Sequence, residues 1–284
     1  KWPIFCKLMK LKSFSKINLS LRVLNKLKNG MHNIETNSTL VKLSDEIDIR
    51  KNKIDKIIFT GKFKDQIDLK RNTVKDTLKL LKRNKVLKGF YKISIKKNIP
   101  VYAGLGGGTS NSYSIVNYFF NKRINKKIVS ICEKKIGSDF RLFLNKNSFQ
   151  KKFKKVFKTK NNIKSDILIV FPYINCETKR IYKMVKNFSK PSGNLYDKKI
   201  NKEKFIDILK KDHNDLQEIV EKKHPKIFQL ILSISKQKGC VFSRMTGSGS
   251  ACYGVFKSKK TAKFAITKLK RKYPKYWCVV TKTI

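Results

Sequence analysis

Lys97-Asn98-Ile99-Pro100-Val101-Tyr102-Ala103-Gly104-Leu105-Gly106-Gly107-Gly108-Thr109-Ser110-Asn111-Ser112 joins two segments of different period. Before it, Tyr91, Ile93 and Ile95 alternate with Lys92, Ser94 and Lys96, as in a strand with one buried face. After it, Ile115, Val116, Phe119 and Phe120 recur at helical spacing. The glycines therefore lead from a strand into a helix N-terminus. They let backbone approach a ligand closely and adopt positive φ. The helix start presents free N–H groups and the positive end of its dipole. Together these make a phosphate site. A glycine-rich surface loop would need neither the strand nor the amphipathic helix.

Two common phosphate loops do not fit. A Walker A loop needs Gly-Lys followed by Ser or Thr, whereas Gly108 precedes Thr109. A dinucleotide fingerprint starting at Gly104 would want glycine at Thr109. The stretch instead resembles the ATP-binding motif of the GHMP kinases (galactokinase, homoserine kinase, mevalonate kinase). That motif reads Pro-x-Gly-Ala-Gly-Leu-Gly-Gly-Gly-Ser-Ser, then Asp or Asn; Tyr102 and Thr109 are small departures. The resemblance implies ATP binding at Pro100, Ala103, Gly104, Leu105, Gly106, Gly107, Gly108, Thr109 and Ser110.

Six further segments resemble the same family. Ser15-Lys16-Ile17-Asn18-Leu19 matches Ala-Lys-(Ile/Leu)-Asn-Leu, which implies that Lys16 helps activate or orient the acceptor hydroxyl and Asn18 contacts substrate. Taken alone, Lys16 is a lysine on the polar face of a strand. Gly30-Met31-His32-Asn33-Ile34-Glu35-Thr36 resembles Gly-Tyr-His-x-(Ile/Leu)-x-(Ser/Thr). His32 would read a cytosine edge, and Met31 replaces the tyrosine that lies on the base; a thioether can still pack on a ring face.

Gly137-Ser138-Asp139-Phe140 resembles Gly-(Ala/Ser)-Asp-Val-Pro-Phe-Phe, making Asp139 the general base, with Arg141 in place of proline. Without the other motifs, Asp139 reads as a helix cap. Phe171-Pro172 through Thr178 to Tyr182 resembles a Pro-x(5)-Thr segment ending in a base-stacking aromatic. Arg244-Met245-Thr246-Gly247-Ser248-Gly249-Ser250 resembles (Arg/Lys)-Met-(Ser/Thr)-Gly-Ser-Gly, implying that Gly247, Ser248 and Gly249 support nucleotide and substrate. Asn214-Asp215-Leu216 matches the family's Asn-Asp-Leu ahead of it.

The 284 residues suit one large or two modest domains, and 40% apolar content supports a real core. No apolar run approaches a membrane span of about 18 residues. Residues 1–8 read as an extension before the domain, too short and interrupted for a signal peptide. Six scattered cysteines without Cys-x-x-Cys or zinc spacing read as reduced, hence a cytoplasmic protein.

The net charge of +49 points first to nucleic acid. The basic residues are mostly lysine and run through almost every segment, alongside abundant Asn and Ile. That is the drift expected of an AT-rich genome. Base-reading sites favour arginine and clustered aromatics. Weak, non-specific nucleic-acid binding is expected from charge alone.

Along the chain, Leu11–Leu24 reads as a strand with Ile17, Leu19, Leu21 and Val23 on one face and Lys16, Asn18, Ser20 and Arg22 on the other, away from the core. Short strands are expected near Leu40–Val41 and at Ile47–Ile49, and a helix over 72–89. Residues 145–164 read as strand ends and a mobile loop. Helices follow over 203–211, 215–223 and 225–238, with strands near Ser243, at Ala251–Phe256 and at Trp277–Val280.

The expected architecture is α+β, with domains over 9–164 and 165–284. The resemblance implies an N-terminal domain like ribosomal protein S5 domain 2 and a ferredoxin-like C-terminal domain. Within the family, the likeness is strongest to the branch that phosphorylates the 2-hydroxyl of 4-diphosphocytidyl-2-C-methyl-D-erythritol in non-mevalonate isoprenoid synthesis, with ATP and Mg2+. Two alternatives stay open: a family kinase for another small alcohol, and a basic nucleic-acid-binding protein on a catalytically lost kinase fold. Neither magnesium ligands nor oligomeric state can be read from the sequence.

Overall fold

The computed structural model describes residues 10–70, 72–196 and 198–284. The expected extension at residues 1–8 lies outside them. The chain opens with two long paired strands, β1 (Leu11–Lys26) and β2 (His32–Asn52). The turn between them closes at Gly30, φ +79°, whose N–H donates to Leu27 O at 2.9 Å. Sequence patterning predicted separate short strands at Leu40–Val41 and Ile47–Ile49, but β2 is continuous. No proline or glycine lies within His32–Asn52, so nothing interrupts its ladder.

The chain forms two compact units. Among the described residues, the first contains 10–15, Leu43–Val101 and Gly106–Phe143; the second contains Lys16–Lys42, Tyr102–Leu105 and Leu144–Ile284.

In the first unit, β3 (Lys56–Thr60), α1 (Thr73–Arg83) and β4 (Phe90–Lys96) follow one another, and β3 runs parallel to β4. Parallel neighbours require such a crossover. The end of β2 pairs antiparallel with β4, Ile47 facing Ile95 and Ile49 facing Ile93. The Asn72 side chain caps α1 by accepting from Lys75 N at 3.0 Å. The helix ends at Arg83, short of the expected 89, because the chain turns at Lys85 (φ +56°) and again at Gly89 (φ +85°).

Next come α2 (Gly107–Phe119), α3 (Lys126–Lys135) and a 3-10 segment, Ser138–Leu144. Val74, Leu78 and Leu81 of α1 pack with Ile93, Ile95, Ile115, Val116, Val129 and Phe140. Each such large side chain contributes about 1.5–3 kcal/mol on burial.

In the second unit, β5 (Asn147–Lys152) pairs with the start of β2, Thr36 opposite Gln150, and with β6 (Lys155–Lys158). Residues 145–164 were expected to hold strand ends and a mobile loop. Ser148, Phe149 and Gln150 are instead buried, and Lys154 at φ +62° turns the hairpin.

The chain continues through β7 (Asp166–Phe171), α4 (Thr178–Lys183), α5 (Lys202–Lys211), α6 (Asp215–Lys223), α7 (Pro225–Ser235), β8 (Cys240–Met245), β9 (Cys252–Phe256), α8 (Lys259–Lys272) and β10 (Trp277–Lys282). The last four strands form an antiparallel sheet ordered β10-β7-β9-β8. Its core joins Leu168, Val170 and Phe256 to Val220, Ile227, Leu230, Ile234, Ala265 and Leu269 from α6, α7 and α8. Among the described residues, no helix is long and apolar enough to cross a membrane.

Candidate active site

In the first unit, α2 begins at Gly106, which caps it in the left-handed region at φ +68° with no side-chain hydrogen bond. No acidic residue occupies the first turn. The first-turn amides therefore have no side-chain cap, and no carboxylate would repel an anion there. Backbone crowding explains the run of glycines. A Cβ on Gly107 would come within 3.0 Å of Ile99, and one on Gly108 within 3.1 Å of Thr73 Oγ1. Ser110, expected to bind ATP, turns its hydroxyl into the protein. It lies 2.8 Å from Ser13 Oγ and donates to Phe14 O at 2.5 Å. Any contact it makes with phosphate is through backbone.

The 3-10 segment carrying Asp139 starts beside this helix. A Cβ on Gly137 would lie 3.0 Å from Thr109 Oγ1. Arg141 grips Glu133 of α3 bidentately, Nε at 2.8 Å and Nη2 at 2.6 Å, fixing the turn where the family's proline would stand. The charge-assisted bond from Glu133 pushes the Arg141 guanidinium above its ordinary value.

In the second unit, Lys16 Nζ donates to Asn18 Oδ1. Asn18 Nδ2 donates to Thr36 Oγ1 at 2.9 Å, and its backbone N–H to Thr246 Oγ1 at 3.0 Å. The polar side of β1, expected to face away from the core, is an interior one: Lys16, Asn18 and Ser20 are each no more than 3% exposed. Polar partners on β2 and at Thr246 replace water there.

The two glycine segments meet within this unit. Lys16 N–H donates to Leu105 O at 3.1 Å, and Ala251 N–H to Ala103 O at 3.1 Å. A Cβ on Gly104 would fall 2.1 Å from Thr246 O. One on Gly247 would fall 3.2 Å from Asn18 Oδ1 and 3.3 Å from Lys16 Nζ. Thr178 Oγ1 and Ser248 Oγ lie 3.0 Å apart. Lys16, Asn18, Gly104, Leu105, Thr178, Gly247 and Ser248 are thereby linked in one polar floor.

His32 and Tyr182 form a separate aromatic pair, with ring centroids 5.2 Å apart. Burial, then the nearby Lys26 charge, lowers the His32 pKa from 6.5.

Sequence reasoning gave no role to three supporting residues. Thr246 receives the Asn18 amide; Asn214 Nδ2 donates to Met245 O and Gly247 O at 2.9 Å each; Tyr253 OH donates to Asn18 O at 3.1 Å. Burial pushes the Tyr253 phenol up to about 12, so it remains a donor. Thr246 and Asn214 sit inside the quoted motifs, whereas Tyr253 carries no local signal. Arg244 is spent on carbonyls, donating to Leu19 O, Leu209 O and Asp212 O. Burial pushes the Cys132 and Cys240 thiols up to about 12, so neither is a nucleophile.

The family description "GHMP kinases N terminal domain" matches residues 72–139, and "GHMP kinases C terminal" matches residues 198–275. The 4-diphosphocytidyl-2-C-methyl-D-erythritol kinase of Pelagibacter ubique (strain HTCC1062) is 38% identical, over 97% of this chain and 99% of that protein. The chain belongs to the GHMP kinase family, in its 4-diphosphocytidyl-2-C-methyl-D-erythritol kinase branch. The like-named protein of Caldicellulosiruptor bescii is 30% identical to this kinase, over 92% of the chain and 94% of its own length. A crystal structure of 4-(cytidine 5'-diphospho)-2C-methyl-D-erythritol kinase shares the kinase's fold at TM-score 0.74 and 18% identity, covering 96% of this chain and 99% of that one. The Methanococcus jannaschii mevalonate kinase follows at TM-score 0.65 and 16% identity, covering 98% and 99%.

Proposed function

We propose that this kinase transfers the γ-phosphoryl group of ATP to the 2-hydroxyl of 4-diphosphocytidyl-2-C-methyl-D-erythritol, in non-mevalonate isoprenoid synthesis. The observation that carries the reading is the 38% identity over nearly the whole chain to a kinase of that name. The linked floor of Lys16, Asn18 and both glycine segments supports it.

Phosphoryl transfer needs placed charge and an oriented nucleophile more than covalent chemistry. The uncapped amides at the start of α2 fit the ATP phosphates. Mg2+ keeps several waters and phosphate oxygens as ligands, so it needs few from the protein. When bound, it neutralises the phosphates' negative charge. Asp139 accepts the proton of the 2-hydroxyl, Lys16 orients that hydroxyl, and Asn18 holds the acceptor. The hydroxyl oxygen then bonds to the γ-phosphorus as the bond to the β-bridging oxygen breaks, leaving ADP. Tyr182 and the Met31 thioether cover the faces of the cytosine, and neutral His32 meets its edge. Thr178, Ser248 and Gly249 line the substrate's phosphates.

The reading carries a cytoplasmic location and a family domain boundary near 164–165, between the two matched stretches. The charge of +49 also favours weak, sequence-blind nucleic-acid association as a side property. The test is an acceptor panel with Mg-ATP: the cytidyl-linked methylerythritol should be phosphorylated, and homoserine and mevalonate should not. Equal turnover of all three would reject the assignment.

A further inference from the structure

Lys97 and Asp45 form an ion pair deep in the first unit, at 2% and 0% side-chain exposure. Their surroundings account for every strong hydrogen-bonding direction of the carboxylate. Asp45 Oδ1 accepts from Asn98 N at 2.7 Å and Ile99 N at 2.9 Å. Asp45 Oδ2 accepts from Lys97 Nζ and from Asn111 Nδ2, the latter at 2.9 Å. Asn111 in turn accepts from Lys97 Nζ at 3.0 Å and donates to Ser13 Oγ at 3.1 Å.

The Lys97 backbone is pinned as well. Its N–H donates to Thr60 O at 2.7 Å, and its carbonyl accepts from Phe63 N at 3.3 Å. Lys97 Nζ lies 3.5 Å from where a Gly107 Cβ would stand, behind the first residue of α2.

A buried ion pair is a weak source of net stability, because desolvation offsets its attraction. Burial also pushes the Asp45 carboxyl up, against the pull of Lys97. What the pair supplies is geometry. One carboxylate holds the strand exit at Asn98 and Ile99 and the second turn of α2 at Asn111, which are the two ends of the glycine loop.

We propose that Asp45 is a positioning residue for ATP: it clamps both ends of the phosphate loop, so that the first-turn amides of α2 converge on the phosphates. The proposal rests on the kinase reading and adds to it a residue remote from the ligand. Simple electrostatics makes a different prediction. An unpaired Lys97 ammonium behind the helix start would draw phosphate in, so Asp45→Asn would tighten ATP binding while Lys97→Met would weaken it.

The experiment titrates ATP and the cytidyl acceptor separately into the parent, Asp45→Asn, Lys97→Met and Asn111→Ala, well below each melting temperature. Amide exchange is followed over residues 98–111. Asn111→Ala keeps the ion pair and cuts its tie to α2, along with the Asn111–Ser13 bond, so it serves if the charge variants do not fold. The expected result is ATP affinity lowered about tenfold to a hundredfold in every folded variant, as for a displaced binding group. Acceptor affinity should hold within twofold, and faster exchange should be confined to the loop. ATP affinity within twofold of the parent in the folded variants, or tighter binding by Asp45→Asn, would overturn the proposal. Failure of the parent itself to bind ATP would bring down the kinase reading instead, and the parent titration shows that separately.

Discussion

At the scale of single residues, proposed chemistry and local structure separate most clearly at Asp139. Its place at the start of a 3-10 segment suits a cap, and its place in the family motif suits a base. Asp139→Asn keeps size and most hydrogen bonding but cannot take a proton. Single-turnover transfer should fall on the order of 10² to 10⁴, with ATP affinity almost unchanged. Lys16→Ala should also lose turnover, and the double variant should lose less than the product of the two, since groups acting as a unit are not additive. Turnover by Asp139→Asn within about threefold of the parent would leave the aspartate as a cap only.

His32 gives a pH prediction. Burial lowers its pKa below 6.5, so the ring is neutral at pH 7 and has one donor and one acceptor for the proposed contact with cytosine. Protonation on acidification removes the acceptor, so acceptor affinity should be flat from about pH 8 to 6.5 and weaken only below that. Calorimetric titration across that range checks it; loss beginning above pH 7 would mean the ring is charged in the native state. The pattern around His32 was legible in the sequence. The burial that lowers its pKa was not.

Among the elements, the glycine loop is the most constrained. Gly104 sits at φ +75°, and a Cβ there would meet Thr246 O at 2.1 Å. Gly104→Ala therefore combines left-handed strain with a backbone clash, and neither segment can yield without moving Lys16 or Asn18. The expected outcome is a melting temperature lowered by several degrees, since about 1 kcal/mol shifts a domain of this size by roughly 2–4 °C, together with loss of phosphoryl transfer. Gly30→Ala is the control: it is also at positive φ, but nothing lies within 4 Å of its Cβ position, so it carries the strain without the clash. Equal effects of the two substitutions would remove the argument from close approach. That Gly104 begins the loop is legible in the sequence. Why it cannot be alanine depends on Thr246, 142 residues away.

For the whole molecule, 68 basic residues against 19 acidic ones predict weak binding to any nucleic acid. Counterion release drives such binding, so affinity for an oligonucleotide of mixed sequence should fall steeply between roughly 50 and 200 mM salt, whatever the sequence. Fluorescence anisotropy with two unrelated oligonucleotides checks it, and tight binding to one of them at physiological salt would show a dedicated site.

The sequence by itself determined the strand, glycine loop and helix of the proposed phosphate site, most helices of the C-terminal half, and the ordered motifs that place the chain in its family. These signals are local: side chains two or four positions apart share a face, and glycine and proline mark where the pattern stops. Only the tertiary structure decided that β2 is one strand, that residues 147–158 form a hairpin, and that the polar face of β1 is buried. It also decided that Lys16–Lys42 belong with the C-terminal half of the chain and that Asp45 and Lys97 close under the loop. The physical reason is separation along the chain. The Asn18 amide finds its acceptor on Thr246, 228 residues on, and no periodicity within a segment encodes a partner that distant.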